Sequence, residues 1–279
     1  FNGGSSDPTA AFLGVRTIVP LPSGQILVAG PADRPTSSKG IEFRVGVTRL
    51  NADGTLDRSF GSHGMTFLPG LLPEAGGGIV PQPDGGILVV LGKVIKRLTP
   101  TGNPDPAFGS VEVGPGEETT VVGFQPLPSG GVAVAGSFAA SRRRSTTDFF
   151  VAHYGPDGKL DPAYAGGRGR AVAALERFDH AQTVSWEADG SVLVGGYSTP
   201  GDFACREARL CPFAPVLARF EPSGELDLNF GIGGQASFPS LAGSERDPSS
   251  AGVLSIAPRP GDGYLLAGSG GPGQTTAFV

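Results

Sequence analysis

Four aspartates hold one place in a motif that returns along the chain. Asp57 sits in "RLNADGTLDRSFGSHG" (49–64), Asp105 in "RLTPTGNPDPAFGS" (97–110), Asp161 in "HYGPDGKLDPAYAGGRG" (153–169) and Asp227 in "RFEPSGELDLNFGIGG" (219–234). In the first copy Asn51, Asp53 and Asp57 crowd around Gly54. Oxygens so spaced could serve calcium, which takes about six to eight of them. The other copies do not keep the set. Asn51 becomes Thr99, Gly155 and Glu221, and Asp53 becomes Thr101, Asp157 and Ser223. A slot that accepts Gly and Thr is not held for a hard cation. The expected role of Asp57, Asp105, Asp161 and Asp227 is structural: each accepts backbone N–H groups inside its own turn. Calcium stays open at the first motif alone, and no other metal site is expected.

Other chemistry finds little footing. A hydrolase needs paired carboxylates or a metal cluster, yet the segments "GVRTIVP", "GGGIVP", "TTVVGF", "QTVSW" and "AGVLSI", which open successive copies, contain no Asp, Glu or His. His63, His153 and His180 fall in different copies and different slots. The glycine-rich stretches precede no helix that could offer its N-terminus to a phosphate. No catalytic residue and no cofactor is expected, and the chain reads as a non-enzyme. Cys205 and Cys211 stand six apart in "FACREARLCPF". That spacing can close a small disulfide ring, with free thiols as the alternative, and no further Cys or His is near enough to complete a zinc site. A disulfide would mean an oxidising compartment.

The elements that carry these residues are short. "IVPLPSGQILVAG" (18–30), "IVPQPDGGILVVLG" (79–92), "GFQPLPSGGVAVAG" (123–136), "VSWEADGSVLVGG" (184–196) and "LSIAPRPGDGYLLAG" (254–268) each set two apolar runs around a Gly turn, the pattern of a β-hairpin. A third run follows each hairpin, then the aspartate motif, then a fourth run. With strands named A to D, this is an all-β repeat of four-stranded antiparallel units. The copies fall at about 5–64, 65–112, 113–169, 170–234 and 235–279, and the fifth shows no aspartate motif. One four-stranded sheet cannot bury both faces alone, so a single β-propeller domain over 1–279 is expected, an open solenoid being the alternative. Phe60, Phe108, Tyr164 and Phe230 hold an aromatic slot expected to plug the space between sheets. Residues 9–13 read as a spare D strand that could pair with 275–279 and close a five-bladed ring.

The hairpin "QPDGGILVVLG" linked to "RLNADGTLDRSFGSHG" resembles the delta-60 repeat family of bacterial proteins, and the resemblance runs over essentially the whole chain. Pro104 stands where that family has Leu, Tyr164 where it has Phe, and 165–169 carry one extra residue. The resemblance implies an exported or surface bacterial repeat protein. It hands over no catalytic residue.

Function then rests on what varies. Basic residues number 21 against 26 acidic, without the dense Lys and Arg that a phosphate backbone demands, so nucleic acid is not an expected partner. No apolar run approaches the ~20 residues of a membrane-spanning helix. The A–B and C–D turns are alike in every copy. The B–C and D–A connections differ in every copy and share the opposite side of the unit. That side is the candidate binding surface, with Arg34, Lys39, Arg142, Arg143, Arg144, Arg206 and Arg209 as its basic contacts. The expectation is a monomeric, secreted or cell-surface binding and scaffolding module for a protein or glycan partner. A structural spacer in a longer array and a lectin-like or polysaccharide-processing propeller are the alternatives.

Overall fold

The computed structural model describes residues 11–35, 41–70, 77–116, 118–139, 146–175, 178–199, 213–238, 252–259, 263–269 and 275–278. Among them the chain is β-structure with one 3-10 turn, Ala165–Gly167, and no α-helix. Two compact units form. One is Phe1–Val113 with the turns Pro126–Val132 and Gly155–Lys159; the other is Gly114–Gln125, Ala133–Tyr154 and Leu160–Val279.

The first unit holds two antiparallel sheets. The first sheet contains β1 (Ala11–Phe12), β2 (Thr17–Pro20), β3 (Ile26–Pro35), β4 (Ile41–Leu50) and β5 (Met65–Pro69); the second contains β6 (Gly77–Pro81), β7 (Ile87–Leu91), β8 (Val94–Leu98) and β9 (Ser110–Glu112). Their apolar faces meet in one cluster that includes Leu27, Ala29, Val45, Val47 and Phe60 with Ile79, Ile87, Val89 and Leu98.

The second unit holds β10 (Glu118–Pro126), β11 (Val132–Ala139), β12 (Thr147–Tyr154) and β13 (Arg170–Ala173), then β14 (Phe178–Trp186), β15 (Val192–Thr199), β16 (Ala214–Phe220) and β17 (Gln235–Ser237). A single parallel pair, Thr147 with Phe178, joins the two sets. The last sheet is β18 (Gly252–Arg259), β19 (Gly263–Ser269) and β20 (Thr275–Phe278). Phe149, Val151, Val194, Val216 and Phe220 share one core cluster, and Leu193, Leu217 and Val253 form another with Phe230, Ile256 and Tyr264 against it.

The hairpins follow from their turn glycines. Gly24, Gly85, Gly130 and Gly190 lie at φ between 82° and 89°, a region costly for any residue with a Cβ. Each returns its N–H to the residue before the turn: Leu21, Gln82, Leu127 and Glu187.

Residues 11–13 correct one expectation. They do not form a D strand beside 275–279; β1 pairs with β3, and β20 pairs with β19. The reason is strand length. β2 covers only Ile26–Ala29 of the ten-residue β3, and the uncovered edge takes β1, with Leu13 N–H bonding Pro31 O at 2.9 Å. β1 and β2 are thus one A strand broken by a bulge. The same break falls between Ala181 and Thr183 and between Val253 and Ser255. At the bulge the carbonyls of Gly14, Thr120, His180 and Gly252 fill the space a Cβ would need on Gly30, Gly136, Gly196 and Gly268. The second sheet pairs without a shift and carries Leu91 at that place. No sheet among the described residues contains both β1 and β20.

Candidate functional site

In three copies the turn after the C strand is built around an ion pair. The chain leaves the strand, doubles back, and bonds Asp57 N–H to Arg49 O, Asp105 N–H to Arg97 O, Asp161 N–H to His153 O and Asp227 N–H to Arg219 O, each at 2.9 Å. That crossing sets a strand-end residue against the aspartate eight positions on. Arg49 meets Asp57 at 2.8 Å, Arg97 meets Asp105 at 2.5 Å, and Arg219 meets Asp227 at 2.6 Å. The other carboxylate oxygen of each aspartate accepts the N–H two residues on: Ser59, Ala107, Ala163 and Asn229, at 2.9–3.0 Å. The Ser59 hydroxyl, with Arg49, holds the Asp57 carboxyl below the usual range against the opposing effect of burial. The Arg97 hydrogen bond does the same for Asp105.

Asp57 is therefore engaged by Arg49, Gln25 and Ser59, and Asp53 by the amide and hydroxyl of Thr55. A guanidinium stands where a calcium ion would need an open carboxylate. Among the described residues no group of three or more His, Cys, Asp and Glu is placed to hold a metal.

The third copy has His153 where the others have arginine. Its ring stacks on Tyr164 at 3.6 Å with 12° between planes. Burial pushes the imidazole down to about 4, with Asp161 pulling the other way. His63 lies in a turn at φ 55°.

The fourth copy gathers the most charge. Arg219 binds Glu187 at 2.8 Å, Asp189 at 3.2 Å and Asp227. Burial works against the guanidinium's charge, but the bonds to Glu187 and Asp227 outweigh it and raise its pKa. The Tyr264 phenol, from the fifth hairpin, donates to Glu187. Burial and that acceptor push Tyr264 up to about 12. Tyr264 faces Pro258 at the register place where Ile26 faces Pro20 and Ile87 faces Pro81. A cavity of about 720 Å³ opens here, lined by Glu187, Asp189, Asp227, Asn229, Phe230 and Tyr264 among others. At neutral pH Tyr264 keeps its proton and Arg219 its charge, so the cavity presents fixed donors and acceptors.

At the other end of the fourth copy's strands three rings adjoin. His180 and Tyr197 face each other across β14 and β15, stacked at 5.0 Å, and Phe213 tilts against Tyr197 at 4.7 Å. His180 is exposed, though partial desolvation still lowers its pKa. These strand ends lead into the D–A and B–C connections.

Of the basic residues assigned to that side, Arg34 lies in β3 opposite Glu42. Lys39, Arg142, Arg143, Arg144, Arg206 and Arg209 lie outside the described residues, as do Cys205 and Cys211. Sequence reasoning passed over Arg49, Arg97, Arg219 and Tyr264. The signal was available: an arginine precedes the turn aspartate by eight in three copies of four, and Tyr264 breaks a slot otherwise held by Ile and Val.

A family model described as "Domain of unknown function (DUF5122) beta-propeller" matches residues 21–60, which run from the turn of the first hairpin into much of the first motif. It supports a β-propeller repeat and does not carry the delta-60 name. No curated protein matches the chain. Among solved structures, a glucose dehydrogenase is 14% identical, with 92% of this chain and 79% of that chain covered and a TM-score of 0.40. An α-L-arabinofuranosidase from Podospora anserina, solved in complex with cellotriose, is 13% identical over 77% of this chain and 67% of that one, with a TM-score of 0.31. Both are named as enzymes, and the expectation that this chain is not an enzyme is withdrawn. Likeness of this size carries no activity over to it.

Proposed function

We propose that the chain is a binding and scaffolding module of an exported protein, built as one propeller-type repeat domain. It holds its partner on the side where the B–C and D–A connections lie. The supporting observation is the ring cluster of His180, Tyr197 and Phe213. Tyr197 sits three residues before residue 200, where one of the most varied B–C connections begins. Adjoining rings at a strand end offer apolar area at low conformational cost, with the tyrosine hydroxyl as a polar handle. Sugar faces and apolar protein side chains both suit such a surface.

The test is binding of the fluorescently labelled chain to a printed glycan array and to isolated bacterial cell envelopes. Tyr197→Ser is expected to weaken capture at least tenfold, while Asp53→Ala, in an A–B and C–D side turn, leaves it unchanged. Capture that ignores Tyr197→Ser, or absence of capture on both surfaces, contradicts the reading.

A further inference from the structure

In three copies the aromatic that follows the turn aspartate packs on the glycine turn of the next copy. A Cβ on Gly102 would stand 2.7 Å from Phe60 ring carbons, one on Gly158 would stand 2.6 Å from Phe108, and one on Gly224 would stand 2.8 Å from Tyr164. A backbone bond accompanies the first and third of these inter-copy joints: Gly61 N–H to Thr101 O at 2.7 Å and Ala165 N–H to Ser223 O at 2.8 Å. Gly61 lies at φ 57° and Ala165 at φ 52°. Glycine takes that backbone freely, and alanine does not. The third joint therefore holds strain that the first avoids.

The backing of the ring differs too. Arg49 lies over Phe60, its Cζ 5.0 Å from the ring centre, and reaches Asp57 from there. A forked guanidinium can stack and pair at once. His153 lies flat on Tyr164 at 3.6 Å. It is half-buried, and Asp161 acts on it as a charge through space, while burial opposes its own charge. Of the other charged groups in these two turns, Asp157 pairs with Lys159, Arg168 with Glu225 and Arg219 with Asp227. Glu221, and Arg170 on the strand that follows, complete the set. The imidazole thus suits its place as a neutral ring, and a proton on it must be met by moving the ring.

We propose that His153 is an acid-sensitive latch on the joint between the third and fourth copies. Its neutral ring backs Tyr164 against the Gly224 turn. On taking a proton from water, the imidazolium turns off Tyr164 toward solvent and the Asp161 carboxylate. Tyr164 then loses its backing, and the strained amide of Ala165 leaves Ser223 O. The joints backed by Arg49 and Arg97 stay closed. A guanidinium keeps its charge at every working pH, and the carboxyls of Asp57 and Asp105 ionise below the usual range. The latch lies on the A–B and C–D side and does not depend on the binding role given to the other side.

The test is amide hydrogen exchange at about pH 7 and about pH 4, corrected for intrinsic rates, which reads the joints one by one. Protection of the Ala165 N–H is expected to fall at least about tenfold in acid, while that of the Gly61 N–H stays within about twofold. His153→Phe keeps an uncharged ring over Tyr164 at both pH values and should abolish the fall. Unchanged protection of Ala165, equal losses at Ala165 and Gly61, or a fall that survives His153→Phe overturns the proposal. The comparison of Ala165 with Gly61 is made within the unsubstituted chain, so it decides the matter even where His153→Phe does not fold.

Discussion

Arg219 and Asp227 meet at 2.6 Å across eight residues of chain, and Arg49 and Asp57 repeat that relationship at 2.8 Å. One local device thus closes turns in both compact units. It ties the end of a C strand to the turn that follows and leaves few carboxylate lone pairs unused. Asp57→Ala should cost about 1–3 kcal/mol, because the Ser59 amide and the Arg49 guanidinium, both in part-buried bonds, lose their acceptor. Urea denaturation of Arg49→Leu, Asp57→Ala and the double variant should give a coupling of at least about 0.5 kcal/mol. Strictly additive losses would mean that the two groups stabilise the turn independently.

The third copy should behave differently with pH. Its half-buried histidine has its pKa pushed down to about 4, below its usual 6.5. The unfolded chain then binds a proton through pH 6.5 that the folded chain refuses until about pH 4. Stability is constant above that window, falls across it as pH drops, and levels below it, with a total on the order of 3 kcal/mol. His153→Gln should flatten that part of the stability–pH curve. A slope that persists unchanged in the variant would assign it to other groups.

Two glycines with equal φ separate strain from packing. Gly54 and Gly102 both lie at 82°, but a Cβ on Gly54 meets nothing within 4 Å, while one on Gly102 meets the Phe60 ring. Gly54→Ala should cost about 1–2 kcal/mol for left-handed backbone alone. Gly102→Ala should add about 1–3 kcal/mol of overpacking. Equal losses for the two variants would contradict the inter-copy joint.

The sequence made the hairpins legible because turn glycines and alternating apolar runs act locally, and the four-strand unit followed from their recurrence. The first strand was harder. Residues 11–13 look like any short apolar run, and only the length of β3 and the bulge over Gly30 decide that they begin an A strand. The site was legible in part. Recurrence pointed to Asp57 and its equivalents as acceptors of backbone N–H groups, but their pairing with Arg49, Arg97 and Arg219 arises only where the chain crosses back over the strand end. The cluster of Glu187, Arg219 and Tyr264 brings together residues up to 77 positions apart, and no local pattern announces a contact of that range.

The cysteines bear on the compartment. With Cys205 and Cys211 joined, thiol titration of the denatured, unreduced protein should find no free thiol. Reduction should then lower stability by at most about 3 kcal/mol, because the ring is short. Two titratable thiols before reduction would remove the support for an exported protein.

The claim that copies alike in their turns build the frame, while connections that differ carry the binding, is tested most directly by exchange. Residues 200–212 are replaced by a Gly-Ser linker of equal length in one variant, and residues 51–55 in another. Thermal midpoint and capture on cell envelopes or glycans are then measured together. The account predicts that the first exchange abolishes capture and moves the midpoint by no more than about 4 °C, while the second lowers the midpoint and spares capture. Full capture after loss of 200–212 would contradict it.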